Sequence, residues 1–456
     1  METPRNIALT TAKEKWEGWL KRLESFIAFP SISGKKGNPE AIQQAADWLG
    51  DTLNQLNLDG VAILPTAGNP VVYAEDLRAG GSAPTVLIYG HYDVVEVEPR
   101  TDWESEPFQA VVRGEHLYGR GATDMKGQII ACLAAVEALR AGGAPPVNLK
   151  LLLEGEEENP PRHLEALLVE QRERLQSDVC LNPDAGMVAP GVPTIVYSLR
   201  GNMRCDLLVR GPRQALHTGL YGGVIHNPVH ALSELIAGLH DGDGRVTIPG
   251  FYENVRPLED DERALLAKLP ADEDFYRDNA GVPALWGDAA YSPHERVGAR
   301  PSVNVTSFDT EREKVVIPTH AKAAVRIRLV PDQTVEEMHQ KLRHHVAENA
   351  PQTITWELTF VAGYGPAYTE RSSPAIRALS RAIETVWGVP PLFSRDGGGI
   401  PAAVWIEQVL GVPSLLTGFA SPVDNLHGPN ERVHLPSLER GVETLVHFFY
   451  ELAEGG

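Results

Sequence analysis

The sequence predicts an α/β chain: a mixed, mostly parallel sheet with helices on both faces, interrupted by an inserted α+β domain. Strand-like and helix-like runs alternate over the first 200 residues and again near the C-terminus, the texture of a parallel sheet wound with helices. Between those stretches the texture changes, so the sheet domain is read as discontinuous. The strand-like runs also end in acids or a histidine, and parallel sheets carry their sites at the carboxyl ends of strands.

In chain order, "AKEKWEGWLKRLESFIAF" and "NPEAIQQAADWLGDTLNQL" have helical apolar spacing, and "VVYAEDL" and "TVLIYGHYD" read as strands. "MKGQIIACLAAVEALRAGG" is a helix with a glycine stop, and "NLKLLLEGEEE" and "DVCLNPD" add two apolar strands. From about Gly201 come "NMRCDLLVRG", the helical "NPVHALSELIAGLHD", an irregular acidic middle and the strand-like "HAKAAVRIRLVP". After about Pro366, "SSPAIRALSRAIETVWG", "PSLLTGFA" and "SLERGVETLVHFFYELAEGG" restore the alternation. The expected division is residues 1–200 and 366–456 for the sheet domain, with 201–365 inserted.

A chain of 456 residues is too long for one ordinary core. Hydrophobic residues at 43% and charged residues at 22% fit a soluble globular protein. Against 41 Lys and Arg stand 61 Asp and Glu, a formal charge of −20 that repels phosphate backbones and anionic membranes. Nucleic acid and membrane are therefore not expected partners, and some of the acids are available to hold cations. The three cysteines, Cys132, Cys180 and Cys205, are odd in number and lack CxxC spacing, which points away from a disulfide framework or a thiolate zinc site and toward a reducing cytoplasm. The N-terminal stretch has scattered charges and no signal-peptide core, and no apolar run reaches membrane-spanning length.

The chemistry-bearing residues emerge at the strand ends. His91 and Asp93 stand two apart in "YGHYDVVEVEP", so in extended chain they share a side; a histidine satisfied by its own neighbour is the bland alternative. Asp124 follows a glycine-rich turn in "YGRGATDMKGQ", where it serves either as a helix cap or as a presented carboxylate. Glu154, Glu156, Glu157 and Glu158 crowd one strand end, a costly repulsion unless cations neutralise it or the loop is fully solvated. Asp184 in "DVCLNPDAG" and His427 in "DNLHGPNE" are each ordinary turn residues singly. Together His91, Asp124, Glu158, Asp184 and His427 make a set of imidazoles and carboxylates suited to two divalent ions, with zinc, manganese or cobalt favoured by the absence of thiolates.

These residues fall within an ordered series: "GHYDVVEVEP", "WESEPFQAVVRGEHLYGRGATDMKG", "LEGEEE", "PTIVYSLRG", "ALHTGLYGGVIHNP", "IPGFYENV", "VRIRLVP", "RDGGGIP" and "NLHGPNE". The series covers most of the chain and resembles the M20 family of metallopeptidases, in the dipeptidase subgroup that includes the carnosine dipeptidases. The resemblance implies a zinc-peptidase-like catalytic domain and an inserted lid and dimerisation domain. It implies a cytoplasmic homodimer that hydrolyses dipeptides or short peptides with two metal ions per subunit, zinc first. Asp124 would bridge the metals, with His91 and Asp184 on one and Glu158 and His427 on the other. Asp93 would orient His91, and Glu157 would be the general base acting on a water between the metals. His217 would stabilise the oxyanion, Arg328 would hold a substrate carboxylate, and Asn304 and Gly399 would complete the substrate contacts. An N-acyl-amino-acid deacylase, an aminopeptidase and a metal-free binding relative are the rival readings. Three departures from the family pattern stand out. "NPP" replaces a glycine–serine turn after the glutamates, which leaves Glu156 and Glu157 as an alternative base and ligand. Asp396 and Gly399 stand where relatives often carry glutamate and serine.

Overall fold

The structure is a computed structural model that describes residues 3–159, 162–310 and 315–455, so Pro160 and Pro161 of the "NPP" turn lie outside the described residues. The chain divides into two compact units. The first comprises Met1–Tyr197, Thr369–Ser394 and Ile400–Gly456, and the second Ser198–Tyr368 together with Arg395–Gly399. The sequence reading assigned that last segment to the C-terminal part of the sheet domain; the structure gives it to the second unit. The physical reason is local. Arg395 donates to the buried Glu262 at 2.8 and 2.5 Å, and the Arg200 backbone N–H and Nε donate to the carbonyls of Gly398 and Gly397 at 3.0 Å each.

The first unit is built on a mixed sheet ordered Asp59–Leu64, Val71–Asp76, Asn148–Glu154, Thr85–His91, Val179–Asn182, Ser414–Leu416 and Thr194–Leu199. Its centre is parallel: Asn148–Glu154, Thr85–His91, Val179–Asn182 and Ser414–Leu416 run the same way, with antiparallel neighbours toward either side. Their near-continuous apolar runs follow from burial on both faces. Leu87 and Tyr89 point into a core with Leu164, Leu168, Ala402 and Ile406, while Gly90 lies on the other face under the helix Lys126–Ala141. A Cβ at Gly90 would meet Ile129 at 3.0 Å and Met125 at 3.2 Å, so the close seat of that helix requires glycine. Asp59–Leu64, half exposed at the sheet edge, was not anticipated.

Lys126–Ala141 links the two central strands Thr85–His91 and Asn148–Glu154, so its N-terminus is delivered to the carboxyl ends of the parallel strands. Lys126, wholly buried, locks it there: its Nζ donates to the carbonyls of Phe26 and Phe29 at 3.1 and 2.7 Å, at the end of the helix Pro4–Ile27. An ammonium on the unsatisfied carbonyls of a helix end meets both hydrogen-bonding and dipole needs. Burial pushes the Lys126 amine down to about 7.

The second unit has an antiparallel sheet ordered Ser302–Thr310, His320–Leu329, Gly201–Arg210 and Thr355–Tyr364. Alternate residues such as Met203, Cys205, Val303 and Ile327 form its core with the helices Pro228–Ala237 and Val335–Asn349. The opposite face is polar, and its register sets Ser302, Arg328, Asn202 and Tyr364 in one row across the strands. The acidic middle, expected to be irregular, contains three short helices, Asp260–Leu266, Glu273–Ala280 and Pro293–Gly298. The last begins with a reciprocal capping box between Ser292 and Glu295. No helix among the described residues is long and apolar enough to cross a membrane.

Candidate metal centre

Four parallel strands end on one side of the first unit, and each is followed by chain that bears an acid or a histidine. His91 closes its own strand; Glu157 and Glu158 follow Glu154; Asp184 follows Asn182; His427 lies in the loop after Leu416. Asp124 comes from the turn just before Lys126. The result is two clusters of ligand-type atoms, His91 with Asp124 and Asp184, and Asp124 with Glu158 and His427, each with its atoms within 4.8 Å of one another.

Asp124 belongs to both, and its two oxygens divide between them. Oδ1 lies 3.1 Å from His91 Nε2, and Oδ2 lies 2.8 Å from His427 Nε2. His91 Nε2 is also 3.4 Å from Asp184, and His427 Nε2 is 3.2 Å from Glu158. Burial opposes ionisation of Asp124, but the hydrogen bonds from His427 and His91 outweigh it and hold the carboxyl well below its usual range. The same carboxylates act in reverse on His427: bonds to Asp124 and Glu158 raise it to about 10 although half its side chain is exposed. His427 has φ +58°, a left-handed conformation rare for a residue with a Cβ.

The four glutamates that looked crowded in sequence separate in space. Glu154 is buried and accepts a short hydrogen bond from the Tyr89 hydroxyl, with burial raising it to about 8. Glu156 accepts from His163, at 2.6 Å from Nδ1 and 3.2 Å from the backbone N–H, and joins neither cluster. Glu157 is raised to about 7, by burial first and then by Asp184, against the opposing pull of His91. Glu158 is raised to about 8 by burial and by Asp124. Its Oε1 is buried with no hydrogen-bond partner. A buried carboxylate oxygen without a donor is costly, and a divalent cation satisfies it. That orphaned oxygen, the divided oxygens of Asp124 and the donor set of two imidazoles and three carboxylates all fit a pair of divalent ions.

Two further carboxylates hold the arrangement, and both act on backbone. Asp93 accepts the N–H of Glu157 on Oδ1 and that of Glu158 on Oδ2, each at 3.0 Å, while His91 Nδ1 sits 3.1 Å from the Asp93 carbonyl and 3.5 Å from its carboxylate. It thereby positions three site residues, where sequence reasoning gave it one. Glu431 was not singled out at all, although it lies in the quoted "NLHGPNE". Wholly buried, it accepts from the backbone N–H of Gly121, Thr123 and Asp124 at 3.0, 2.9 and 3.1 Å and from Arg120 Nη1 at 2.7 Å. Arg120 Nη2 in turn donates to the carbonyls of His427 and Gly428 at 3.3 and 3.1 Å. The buried pair thus ties the Asp124 turn to the His427 loop. Of the other residues named from sequence, His217, Asn304, Arg328 and Gly399 belong to the second unit.

Glu431→Gln should destabilise the metal-free protein by about 3–5 kcal/mol, because it leaves the Arg120 charge buried without its partner. Urea denaturation checks this; a loss below about 1 kcal/mol would remove Glu431 from its place as the clamp. A second outcome concerns protons. In the metal-free site at neutral pH, His427 (about 10) and Glu158 (about 8) both carry a proton that ligation must displace. Metal binding should therefore release protons and tighten as pH rises from 6 to 8. Titration calorimetry in buffers of different ionisation enthalpy measures the release, and a buffer-independent heat would contradict the assignment.

The family model for peptidase family M20/M25/M40 matches residues 87–451. The chain is 30% identical over 397 residues to the human β-Ala-His dipeptidase, covering 84% of this chain and 78% of that protein. It is 29% identical over 447 residues to the cysteinylglycine-S-conjugate dipeptidase of Corynebacterium striatum, covering 96% and 95%. Among solved structures, the M20 family metallo-carboxypeptidase Sso-CP2 from Sulfolobus solfataricus matches with a TM-score of 0.82 at 29% identity, over 96% of this chain and 99% of that one. The matched span contains both ligand clusters and the two carboxylates that brace them, and the chain belongs to peptidase family M20/M25/M40.

Proposed function

We propose that the protein is a di-metal hydrolase that cleaves the amide bond of dipeptides or similarly short peptides. The observation that carries the reading is Asp124, one carboxylate turned by its two oxygens to two ligand clusters, with the ionisable Glu157 beside them. The similar proteins of human and Corynebacterium striatum are both dipeptidases, which supports dipeptides as the substrate class. Asp124 would serve both ions, with His91 and Asp184 holding one and Glu158 and His427 the other; zinc would suit the donor set first, with manganese or cobalt as alternatives. Two such ions polarise a scissile carbonyl and acidify a water, so no protein nucleophile is needed.

Glu157 is the general base. A carboxyl raised to about 7 by burial is matched to taking a proton near neutrality and returning it to the leaving amine. Asp93 holds its backbone and that of Glu158, so base and ligand keep a fixed relation. Arg328 takes the substrate's free carboxylate, with Asn304 and Gly399 beside it, and His217 stabilises the oxyanion. His217 is exposed, with Nδ1 accepting the Gly219 N–H at 3.1 Å, and near it in sequence Leu220 and Val224 are 77% and 79% exposed. These features support a homodimer in which His217 serves the neighbouring subunit. Three buried, unpaired cysteines support a cytoplasmic setting.

Glu157→Gln should abolish turnover of a dipeptide panel with metal content near that of the unaltered protein, whereas Glu158→Gln should lower metal content. Elemental analysis beside the assay decides it. If Glu156→Gln instead is the inactive, fully loaded variant, base and ligand shift by one residue. The panel includes N-acetylated amino acids and tripeptides, whose preferential cleavage would make the enzyme a deacylase or an aminopeptidase. For the dimer, His217→Ala and Glu157→Gln should each be inactive alone and recover on mixing under subunit exchange. Half the molecules would then be heterodimers with one intact site, so recovery should approach roughly a quarter of the unaltered activity. No recovery after demonstrated exchange would put His217 in its own subunit's site or outside catalysis.

A further inference from the structure

The second unit contains a cavity of about 270 Å³ whose lining includes Asn304 but otherwise has no part in the proposed chemistry. Arg200, Arg296 and Arg300 line it, together with Trp286, Tyr252 and His240. In a chain of net charge −20, three guanidinium groups around one cavity invert the prevailing sign. Asp288 is the one acid in the lining, and Arg245 already holds it at 2.9 and 3.3 Å.

The arginines are poorly matched by counter-charge. Arg300 lies over the rings of Tyr252 and Tyr291 at 4.5 and 4.4 Å, and among the described residues it makes no hydrogen bond or ion pair. Arg296 reaches Glu273 at 3.5 Å and the Trp286 carbonyl at 3.1 Å, but its Nε is buried without a partner. Arg200 is half-buried and donates to the Gly397 carbonyl and, at 3.5 Å, to Ser302 Oγ. Burial and the nearby Arg328 bring it down to about 10, with Asp396 acting in the other direction while it caps the Gly398 N–H at 2.8 Å. Like charges gathered out of water favour an anion among them.

The cavity also has a place relative to substrate. Ser302 lines it and is the cross-strand partner of Arg328, so the two side chains stand on one face about 5 Å apart. We infer that this cavity receives the side chain of the substrate's C-terminal residue and selects a carboxylate there, so that dipeptides ending in glutamate or aspartate are preferred. The inference rests on the dipeptide reading, in which Arg328 takes the α-carboxylate. Arg300 determines the selection, and Trp286 and Tyr252 provide apolar walls for the methylene groups.

The test compares kcat/KM for Ala-Glu with that for its neutral isostere Ala-Gln on the metal-loaded protein. The ratio should favour Ala-Glu by about tenfold or more, the range of a charge-assisted hydrogen bond. Arg300→Met should bring it close to one, and Arg300→Lys should restore part of it; should Arg300→Met not fold, Arg296→Gln carries the same comparison. A ratio near one in the unaltered protein, or one that these substitutions leave alone, overturns the assignment. If no dipeptide is cleaved, the dipeptide reading falls, and calorimetric binding of Ala-Glu and Ala-Gln to metal-loaded Glu157→Gln decides the cavity separately. Tighter Ala-Glu upholds the pocket, and equal affinities reject it.

Discussion

A carboxylate withdrawn from water must find donors, and Glu431 finds four: three consecutive-turn N–H groups around Asp124 and the Arg120 guanidinium. The rest of the centre depends on this contact. Glu431 takes three of the N–H groups at the Gly121–Asp124 turn, and the His427 loop, with its left-handed backbone, is held through the other end of Arg120. Neither segment belongs to a strand. One buried ion pair reaches both, and the contacts of Asp124 with His427 and of Thr123 with Asp424 add to it.

Asp93 applies the same device to the glutamates. It spends both oxygens on the backbone of Glu157 and Glu158, leaving those side chains to be aimed by the loop. A division of labour follows from the hydrogen bonds. Asp93 and Glu431 meet donors on both oxygens, as buried carboxylates in a rigid frame should. Glu158 is left with an orphan oxygen, and Glu157 with a carboxyl displaced from its ordinary range. Among these four carboxylates, the two that brace backbone are saturated with donors, and Glu158 is not.

Much of this was legible in the sequence because its signals were local. Continuous apolar runs gave the central strands, and the acids and histidines at their ends gave the residues of both clusters. What escaped notice depended on distance along the chain. Glu431 acts on the Asp124 N–H across 307 residues, and no spacing rule joins them. The separation of Glu154, Glu156, Glu157 and Glu158 depended on Tyr89 and His163 as partners. The segment Arg395–Gly399 looks like a strand and turn in any context; its membership of the second unit comes from Glu262 and Arg200. The edge strand Asp59–Leu64 was missed because its short apolar run, Val61 to Leu64, cannot be told from helix by periodicity alone.

The discontinuity of the first unit also has a consequence in time. During synthesis Arg120, the Asp124 turn and most of the parallel strands leave the ribosome before the second unit, while the strand Ser414–Leu416, His427 and Glu431 follow it. The nascent chain therefore carries a guanidinium and three turn N–H groups destined for burial whose acceptor has not yet been made. Hydration must serve them in the interval, and so this part of the first unit stays open until the chain is nearly finished. Closing so long a loop adds only a logarithmic entropy cost, but it forces the two ligand-type clusters to be assembled last. Because the same late segment brings both His427 and the carboxylate that braces Asp124, a nascent chain has no stage at which the centre is braced yet lacks a ligand.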